Sequence, residues 1–524
     1  MSGDALTAQR RFSWRLGFPL LVLGGAVAVV AALLFYSSPD FDLGTRNFGL
    51  VAVAFMSAAL LSLWFLFLPW SLWFVRLGLV LVVVGAARGA VRELSFSGDF
   101  VPVVQWRWQP APDDVLDAHR LQNPAAPGKV EVRAEEEADF PAYRNRDRDG
   151  IVRGPRLSRD WTAQPPRELW RQPVGRGYAA LAIVGDAAVT IEQRRDQEAV
   201  VCYRATTGQE VWVYSYPAAF TEALGGPGPR ATPTIADGKV YSLGALGHLA
   251  CLDLATGAEV WFKNVLQDNA NIQWAMSGSP LVFDRLVVVN PGAQTKEAAG
   301  RAVLAFDRAT GQPVWHAGDH PAGYSSPQLA TLKGQRQILI FDGDGLAGHD
   351  PATGRELWRH EWKTMNNINV AQPIVLDGDR VFISTGYGVG CALLQVSEQG
   401  GQWSTATVWQ NKNMRCKFTS PVLRDGFLYG LDEGILVCLD PRTGERRWRD
   451  GRFGHGQILL HDDLLLVLSD TGEFALVEAK PEAFRKLAGI RALTGKTWNY
   501  PAVAHGRAYL RNDREMVCYD LAAK

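Results

Sequence analysis

A short phrase of four residues recurs along most of this chain and limits the folds that are open to it. The phrase is an Asp, then a Thr-Gly pair, then a Trp, always at the same offsets. Full copies are Asp253/Thr256/Gly257/Trp261, Asp307/Thr310/Gly311/Trp315, Asp350/Thr353/Gly354/Trp358 and Asp440/Thr443/Gly444/Trp448, and Thr207/Gly208/Trp212 lacks the acid. A period of about 40–50 residues indicates a supersecondary unit that cannot bury its own apolar face and is stacked many times. We therefore expect a repeat array.

Each repeat predicts four antiparallel strands. The Thr-Gly pair makes a tight turn because Gly accepts the positive φ that other residues avoid. An alternating segment such as Gly238 to Leu252 precedes the turn, and the Trp lies in the outgoing strand. Most repeats open on a strand led by proline, at Pro233, Pro280, Pro327, Pro373, Pro421 and Pro501. Radial repetition of such meanders is the β-propeller, which leaves few sheet edges unpaired.

Counting the repeats predicts eight blades. The outgoing strands carry Trp170, Trp212, Trp261, Trp315, Trp358, Trp409 and Trp448, and a degenerate unit lies at Phe484 to Ile490. Tyr500 to Leu521 lacks an outgoing strand, whereas Leu169-Trp170 lacks a preceding unit, so we expect the ring to close by pairing the two. The predicted fold class is all-β, an eight-bladed propeller over residues 161–524, with the seven Trp side chains packed between neighbouring blades.

The first part of the chain has the composition of membrane helices. We predict a cytoplasmic tail at 1–15 and a transmembrane region at 16–92 with helices at about 16–37, 48–68 and 71–91. The first two stretches carry no ionisable side chain over a length that crosses a hydrocarbon core of about 30 Å. The third includes Arg76, which must reach the interface. Residues 93–160 are predicted to be a juxtamembrane segment and a linker, and the part rich in proline, alanine and acids through Glu135-Glu136-Glu137 is expected to be mobile.

Basic residues indicate the orientation. Arg10, Arg11 and Arg15 precede the first helix, which favours a cytoplasmic N-terminus. Three spans then place the propeller on the periplasmic side of a cytoplasmic (inner) membrane. Arg88 and Arg92 would lie on the translocated side, against the rule, so a two-span arrangement with a cytoplasmic propeller stays open.

The charge balance and the positions of the cysteines give no support for a nucleic-acid-binding protein or for a disulfide framework. The 54 basic and 54 acidic side chains balance, which gives no reason to expect a nucleic acid partner. Cys202, Cys251, Cys438 and Cys518 occupy one position in four different repeats, where bridging is unfavourable, so they are interpreted as buried hydrophobes. Whether Cys391 and Cys416 pair stays open.

The segment Ala250 to Gly257, with Trp261, resembles the pyrroloquinoline-quinone (PQQ) repeat, and the resemblance covers most of residues 161–524. That family implies two unlike functions. Quinoprotein dehydrogenases hold PQQ and calcium in the mouth of an eight-bladed propeller. The outer-membrane assembly lipoprotein uses a similar ring, without a cofactor, as a docking surface. Bacterial PQQ-binding-like propeller proteins with membrane helices before the ring are similar to this chain.

The dehydrogenase alternative requires an acid base, calcium ligands and a flat aromatic floor. Alcohol-oxidising members often carry an adjacent Cys pair, and no two cysteines are adjacent here. Glu222 and Asp319 are acids near the expected mouth, but no residue matches a catalytic or metal position of the family. We therefore predict no catalytic residue, no metal and no cofactor, and PQQ with calcium belongs only to the alternative.

A binding site is expected where the inner strands begin, because a propeller's funnel opens there. The predicted ligand-binding residues are Arg230, Trp274, Tyr324, Asn369, Lys417, His455 and Trp498. Aromatic and polar groups that converge in a concavity are typical of a binding site. The sequence thus predicts a membrane-anchored, non-catalytic scaffold that binds a protein or a small ligand outside the cytoplasmic membrane. The alternative is a PQQ- and calcium-dependent alcohol or sugar dehydrogenase that passes electrons to membrane quinone.

Overall fold

The structure is a computed structural model that describes residues 3–35, 43–67, 73–125, 128–267 and 269–523. Positions 36–37, 68 and 71–72 of the predicted helices, and the chain ends at 1–2 and 524, lie outside the described residues. The chain divides into two compact units, Met1–Ala111 and Pro112–Lys524.

The first unit consists of helices and one hairpin. Its helices are α1 (Gly3–Phe35), α2 (Leu43–Phe67) and α3 (Trp73–Ala90), and its strands are β1 (Val91–Phe96) and β2 (Pro102–Trp106). Gly17–Phe35, Leu43–Phe67 and Trp73–Ala90 are each long and apolar enough to cross a membrane. The unit therefore provides three helices that could span a bilayer.

The second unit is a ring of eight antiparallel sheets, which confirms the predicted propeller. Helix α4 (Pro112–Gln122) and strands β3 (Ile151–Val152) and β4 (Arg167–Pro173) precede the blades, which we number I to VIII. Blade I holds β5 (Ala182–Val184), β6 (Ala187–Arg194), β7 (Gln197–Arg204) and β8 (Glu210–Pro217). Blade II holds β9 (Thr234–Ala236), β10 (Lys239–Leu243), β11 (His248–Asp253) and β12 (Glu259–Asn264). Blade III holds β13 (Leu281–Phe283), β14 (Leu286–Val289), β15 (Val303–Asp307) and β16 (Pro313–Ala317). Blade IV holds β17 (Gln328–Leu332), β18 (Gln335–Phe341), β19 (Gly345–His349) and β20 (Glu356–Glu361).

The other four blades repeat this plan. Blade V holds β21 (Ile374–Leu376), β22 (Arg380–Thr385), β23 (Gly390–Gln399) and β24 (Gln402–Asn411). Blade VI holds β25 (Val422–Arg424), β26 (Phe427–Asp432), β27 (Ile435–Asp440) and β28 (Glu445–Arg452). Blade VII holds β29 (Gln457–His461), β30 (Leu464–Leu468), β31 (Glu473–Glu478) and β32 (Lys486–Arg491), with β3 as a fifth strand. Blade VIII holds β33 (Ala502–Ala504), β34 (Arg507–Arg511), β35 (Glu515–Asp520) and β4. Single 3-10 turns lie at Lys296–Ala298 and Met365–Asn367.

The ring closes as the sequence predicts. Strand β4 pairs antiparallel with β35, with Trp170 opposite Cys518 and Gln172 opposite Met516. Each of these strands would otherwise present an unpaired edge. The outermost strand of the last blade therefore comes from a part of the chain that precedes the first blade.

The residues of the recurring phrase stabilise the turn within one blade and the contact between neighbouring blades. Within a blade, Asp253 Oδ1 accepts hydrogen bonds from the backbone N–H (3.1 Å) and hydroxyl (2.9 Å) of Thr256, which fixes the turn. Between blades, the indole of Trp212 lies over Gly257 and donates its N–H to the carbonyl of Leu254 at 2.9 Å. Trp170, Trp261, Trp315 and Trp409 likewise lie over Gly208, Gly311, Gly354 and Gly444. Each Trp therefore packs on the turn of the following blade.

Trp358 differs because blade V lacks the phrase. Its indole N–H donates to the Gln337 side chain of its own blade at 2.7 Å. In blade V the turn is replaced by the long hairpin of β23 and β24, in which Gln399 pairs with Gln402. The glycine on which a Trp would pack is therefore missing from the neighbouring blade.

We expect Gly311→Ala to lower the free energy of unfolding by about 1–3 kcal/mol more than Gly334→Ala does. Both glycines have positive φ, +69° and +75°, so the backbone penalty is common to both substitutions. A Cβ at Gly311 would lie 2.7 Å from the Trp261 ring, whereas a Cβ at Gly334 meets nothing within 4 Å. Denaturant unfolding of the full chain in detergent measures the difference. Equal losses would show that the Trp-on-glycine contact does not restrict this position.

Residues 128–160, which we call the arm, pack against the ring. Within the stretch through Glu137 that was expected to be mobile, Val130 is buried and its N–H donates to the Ala255 carbonyl at 3.2 Å. Phe140 forms a β-bridge with Ile183 of the inner strand β5, and both residues are fully buried. Further along, β3 pairs in parallel with β29, the inner strand of blade VII. The stretch between these two pairings therefore crosses the central channel of the ring.

Two arginines hold the arm across the channel. Arg144 is fully buried and uses all five N–H donors, among them to the carbonyls of Ser420 (3.0 Å) and Pro421 (2.7 Å) and to the Tyr500 hydroxyl (2.6 Å). Arg148 donates to the carbonyls of Ser279, Pro280 and Pro327. Burial lowers the pKa of Arg148 to about 9, so it remains charged at neutral pH. The linker composition did not predict these contacts, because most of the acceptors are backbone carbonyls 131 to 277 residues away in the chain.

The cysteines form no bridge in the structure. All six are free and buried, including Cys391 and Cys416. Burial raises the pKa of each of these two thiols to about 12, which keeps them protonated and unreactive.

Candidate functional site

The mouth of the funnel lies at the end of the ring where the inner strands begin. We define it by the residues that precede those strands and the loops beside them. Of the seven residues predicted from the sequence, Arg230, Trp274, Tyr324, Lys417, His455 and Trp498 lie among these loops. Asn369 is fully buried, and its amide donates to the carbonyls of Asp342 (2.8 Å) and Trp362 (3.1 Å). Its polar atoms are therefore committed to the wall of the ring.

A continuous row of aromatic rings lines one side of the mouth. The centroid of Trp498 lies 5.3 Å from that of Tyr178 and 4.8 Å from that of Phe418. Phe418 in turn meets the imidazole of His455 edge-on at 5.3 Å. These residues come from the loops that lead into blades I, VI, VII and VIII, so the row exists only in the closed ring.

A second aromatic pair lies further round the mouth. Trp274 and Tyr324 have centroids 5.7 Å apart, and the Trp274 backbone N–H points at the Tyr324 hydroxyl at 3.5 Å. Arg230 lies beside the aromatic row, because its guanidinium lies over the rings of Phe220 (4.8 Å) and Tyr178 (5.7 Å). Burial lowers the pKa of Arg230 to about 10, so the side chain is a cation at neutral pH.

Two lysines add positive charge to the mouth. Lys496 Nζ lies 3.6 Å from the centroid of Trp498 and 5.2 Å from that of Tyr178. Lys417 is buried, contacts Glu433 at 2.9 Å and lies over the ring of Tyr387 at 5.2 Å. Cations over aromatic faces are attracted by the ring quadrupole, which holds these side chains in place.

The carboxylates near the mouth are engaged locally. Glu222 accepts the backbone N–H groups of Leu224 (2.9 Å) and Gly225 (2.6 Å). Asp470 accepts the N–H of His455 at 3.0 Å, and Glu433 contacts Lys417. Asp319, the other acid named from the sequence, is exposed and accepts the N–H of Gly300. Over the described ranges, no three His, Cys, Asp or Glu side chains lie close enough together to hold a metal ion.

Polar atoms without a protein partner line the channel below the mouth. Trp498 Nε1, Thr419 Oγ1, Gln457 Oε1 and Asn499 Oδ1 are buried and make no hydrogen bond to a residue that the structure describes. Buried polar groups are normally paired. These four atoms are therefore exceptions among the buried polar groups near the mouth.

Several residues of the mouth were not predicted from the sequence. Tyr178, Tyr387, Phe418 and Lys496 lie beside the predicted positions in the chain or across the ring. The marker used was the position shortly before each proline, which selects one residue per blade. Phe418 and Lys496 could have been found by taking the two or three residues around that marker.

Comparison with characterised proteins finds both classes of relative. The chain is 28% identical over 277 residues to the quinohemoprotein alcohol dehydrogenase of Comamonas testosteroni, which covers 52% of this chain and 33% of that protein. It is 33% identical over 93 residues to the outer membrane protein assembly factor BamB of Xanthomonas campestris, which covers 17% of this chain and 21% of that protein. A quinoprotein ethanol dehydrogenase of Pseudomonas putida is 28% identical over 148 residues, which is 25% of this chain and 22% of that protein. The chain thus spans at most 33% of the length of these relatives.

Similar folds occur among solved structures. BamB of Moraxella catarrhalis is 15% identical with a TM-score of 0.49, and the match covers 68% of this chain and 97% of that one. The quinohemoprotein alcohol dehydrogenase of Comamonas testosteroni is 14% identical with a TM-score of 0.42, and the match covers 74% of this chain and 81% of that one.

One protein-family model matches the blades themselves. The matches cover residues 163–272 and 196–450, and together they extend over more than half of the 524-residue chain. The chain therefore belongs to the PQQ-repeat propeller family whose description is outer membrane protein assembly factor BamB.

Proposed function

We propose that this chain is a membrane-anchored, non-catalytic propeller that binds a protein partner at its funnel mouth, outside the cytoplasmic membrane. The observation that carries the proposal is the composition of the mouth. Three cationic side chains, Arg230, Lys417 and Lys496, lie over aromatic rings there, while the neighbouring carboxylates are engaged by backbone N–H groups or by Lys417. Such a surface suits recognition of an acidic or aromatic segment.

The residues of the mouth do not fit a quinone held by calcium. Calcium takes six to eight oxygen ligands, typically with several carboxylates among them. Glu222, Glu433 and Asp470 each have a local partner instead. A flat quinone also needs an open aromatic face, and Lys496 lies 3.6 Å from the Trp498 ring. The dehydrogenase function, which the names of two relatives favour, is therefore the second candidate.

Other features support the remaining parts of the proposal. The family description names an assembly factor for outer membrane proteins, which favours a protein as the partner. Three helices that could span a membrane precede the ring, and three arginines precede the first of them. An odd number of spans with a cytoplasmic N-terminus supports the proposal that the ring lies on the periplasmic side.

We expect that PQQ and calcium will not change the Tm of the full-length protein in detergent and will not give it dehydrogenase activity. A ligand selective for the folded state at a hundredfold excess over its Kd would stabilise it by about 2.7 kcal/mol, which thermal unfolding readily detects. The predicted result is no shift in Tm and no dye-linked oxidation of alcohols or sugars. A Tm shift that Trp498→Ala or Lys417→Ala abolishes would place the cofactor in the funnel and favour the dehydrogenase.

Photo-crosslinking of the full-length protein in cells tests whether a partner binds at the mouth. A photoreactive residue at Gln273, which is exposed beside Trp274, should give a defined crosslinked protein. The matched control is Thr331, which is exposed at the far end of the inner strand β17. Equal crosslinking at both positions would contradict a partner site at the mouth.

A further inference from the structure

Three arginines converge on one buried carboxylate at the rim of the mouth. Asp432 ends strand β26, and its side chain is fully buried. Arg415 Nε lies 2.7 Å from Asp432 Oδ1, while Arg446 Nη2 and Arg449 Nε each lie 2.9 Å from Oδ2. The side chain of Arg415 is 9% exposed, whereas those of Arg446 and Arg449 are 31% and 33% exposed. Two of the three guanidinium groups therefore reach solvent.

A β-bulge brings Arg446 and Arg449 to the same carboxylate. Residues three apart in a regular strand point to opposite faces of the sheet. The register between β27 and β28 shifts so that Cys438 pairs with Trp448 but Leu439 pairs with Arg446, which leaves Arg447 as the extra residue. The bulge changes the direction of the following side chains. Arg447 instead lies over the ring of Phe427 at 6.0 Å.

The cluster carries more positive charge than its carboxylates balance. Its four cations are Arg415, Arg446, Arg449 and Lys417, and its two acids are Asp432 and Glu433. Arg446 Nη1 and both terminal nitrogens of Arg449 donate to no residue within the described ranges. Burial lowers the pKa of Arg446 against the opposing effect of Asp432, and the nearby Arg449 and Arg415 add to the lowering.

The cluster adjoins the mouth. The Glu433 N–H donates to the Arg415 carbonyl at 3.1 Å, and the Glu433 side chain contacts Lys417, which lies over Tyr387. The cluster is therefore connected through Arg415 and Glu433 to Lys417, one of the residues of the mouth.

We propose that Arg446 and Arg449, oriented by Asp432, form a carboxylate-binding site that takes an acidic side chain of the partner's extended segment. This inference rests on the proposed function, because it names the chemistry of that partner. Asp432 holds Arg449 through Nε, which leaves both terminal nitrogens in a fixed plane that suits bidentate binding of a second carboxylate. Arg446 adds the N–H groups of Nη1. The positive charge of the cluster attracts an acidic segment.

The test uses the full-length protein in detergent and a fluorescein-labelled peptide of sequence Ser-Glu-Trp-Glu-Ser-Glu. We expect saturable binding at low salt that weakens as NaCl is added. The double substitution Arg446→Gln/Arg449→Gln should weaken binding at least about tenfold, which corresponds to about 1.4 kcal/mol. The matched control Arg447→Gln removes a like charge from the same strand and should change the Kd less than about twofold. Thermal unfolding establishes that each variant is folded.

A conservative variant keeps the test independent of folding defects. Arg446→Lys/Arg449→Lys retains both charges but not the planar donor groups, and it should bind the peptide more weakly than the unsubstituted protein does. The site is overturned if Arg447→Gln weakens binding as much as the double substitution, or if the peptide with Gln in place of Glu binds equally well. Binding of phosphatidylglycerol vesicles through these arginines, without binding of the peptide, would overturn the assignment to a protein ligand. Failure of the peptide with intact crosslinking at Gln273 would refute this site and leave the proposed function standing.

Discussion

Arg144→Met is expected to lower the free energy of unfolding by about 3–5 kcal/mol, because it removes a charged donor from the axis of the ring. The side chain is fully buried and donates to four backbone carbonyls and the Tyr500 hydroxyl. Methionine fills part of the space but donates nothing, so buried acceptors of the arm and of blades VI and VIII lose a partner. Guanidinium unfolding of the full chain in detergent, followed by tryptophan fluorescence, measures the loss.

The matched control is Arg442→Met, an exposed arginine on the turn of blade VI. Its side chain is 73% exposed and pairs with Asp440, so its replacement should leave the unfolding midpoint unchanged. Arg144→Lys separates charge from geometry, because lysine keeps the cation but cannot make five bonds in one plane. If Arg144→Met were no more harmful than Arg442→Met, the arm would not be part of the ring's stable core.

Trp261→Ala should cost about 3–5 kcal/mol, the usual range for truncating a buried Trp. Trp261 is 6% exposed, lies over Gly311 of the next blade and donates its indole N–H to the Arg308 carbonyl at 2.9 Å. The truncation opens a cavity between blades II and III and leaves that carbonyl without this donor. The same denaturant series detects the change, and binding of the acidic peptide by the folded fraction should persist.

Trp261→Phe divides the effect into two parts. Phenylalanine keeps much of the apolar contact over Gly311 but loses the hydrogen bond, whose net worth is about 0.5–1.5 kcal/mol. A loss for Trp261→Ala of under about 1 kcal/mol, far below the large-to-small range, would refute the inter-blade role.

Most of the ring could be predicted because its information is local and repeated. Four turns carry the full Asp, Thr and Gly, a fifth carries Thr and Gly, and seven outgoing strands carry a Trp, so the blade number followed from counting. Closure by β4 and β35 followed from two incomplete units. The arm could not be predicted in this way, since Arg144 and Arg148 bond to backbone carbonyls, which have no sequence signature.

The mouth was predicted only in outline. A marker before each proline found Trp498 and Lys417, but it also selected Asn369, whose amide serves the wall. Sequence position along a blade does not fix whether a side chain points to the axis or into the wall. Arg446 and Arg449 were not predicted, because the bulge at Arg447 changes the face of the sheet on which the residues beside it lie.

The closure of the ring also means that one strand is synthesised long before its partner. Arg144 donates a hydrogen bond to Tyr500, 356 residues later in the chain. Strand β4 likewise cannot pair until β35 has been made. At about 5–20 residues per second, translation of that interval takes roughly 20–70 s. Blades I to VII can assemble on their neighbours in turn, but until the last blade is made β4 has an unpaired edge and Arg144 lacks the Tyr500 hydroxyl. The nascent chain therefore exposes an unpaired strand edge until the last blade is synthesised. Protection of β4 during that time favours closure within one chain over pairing with β35 of another copy.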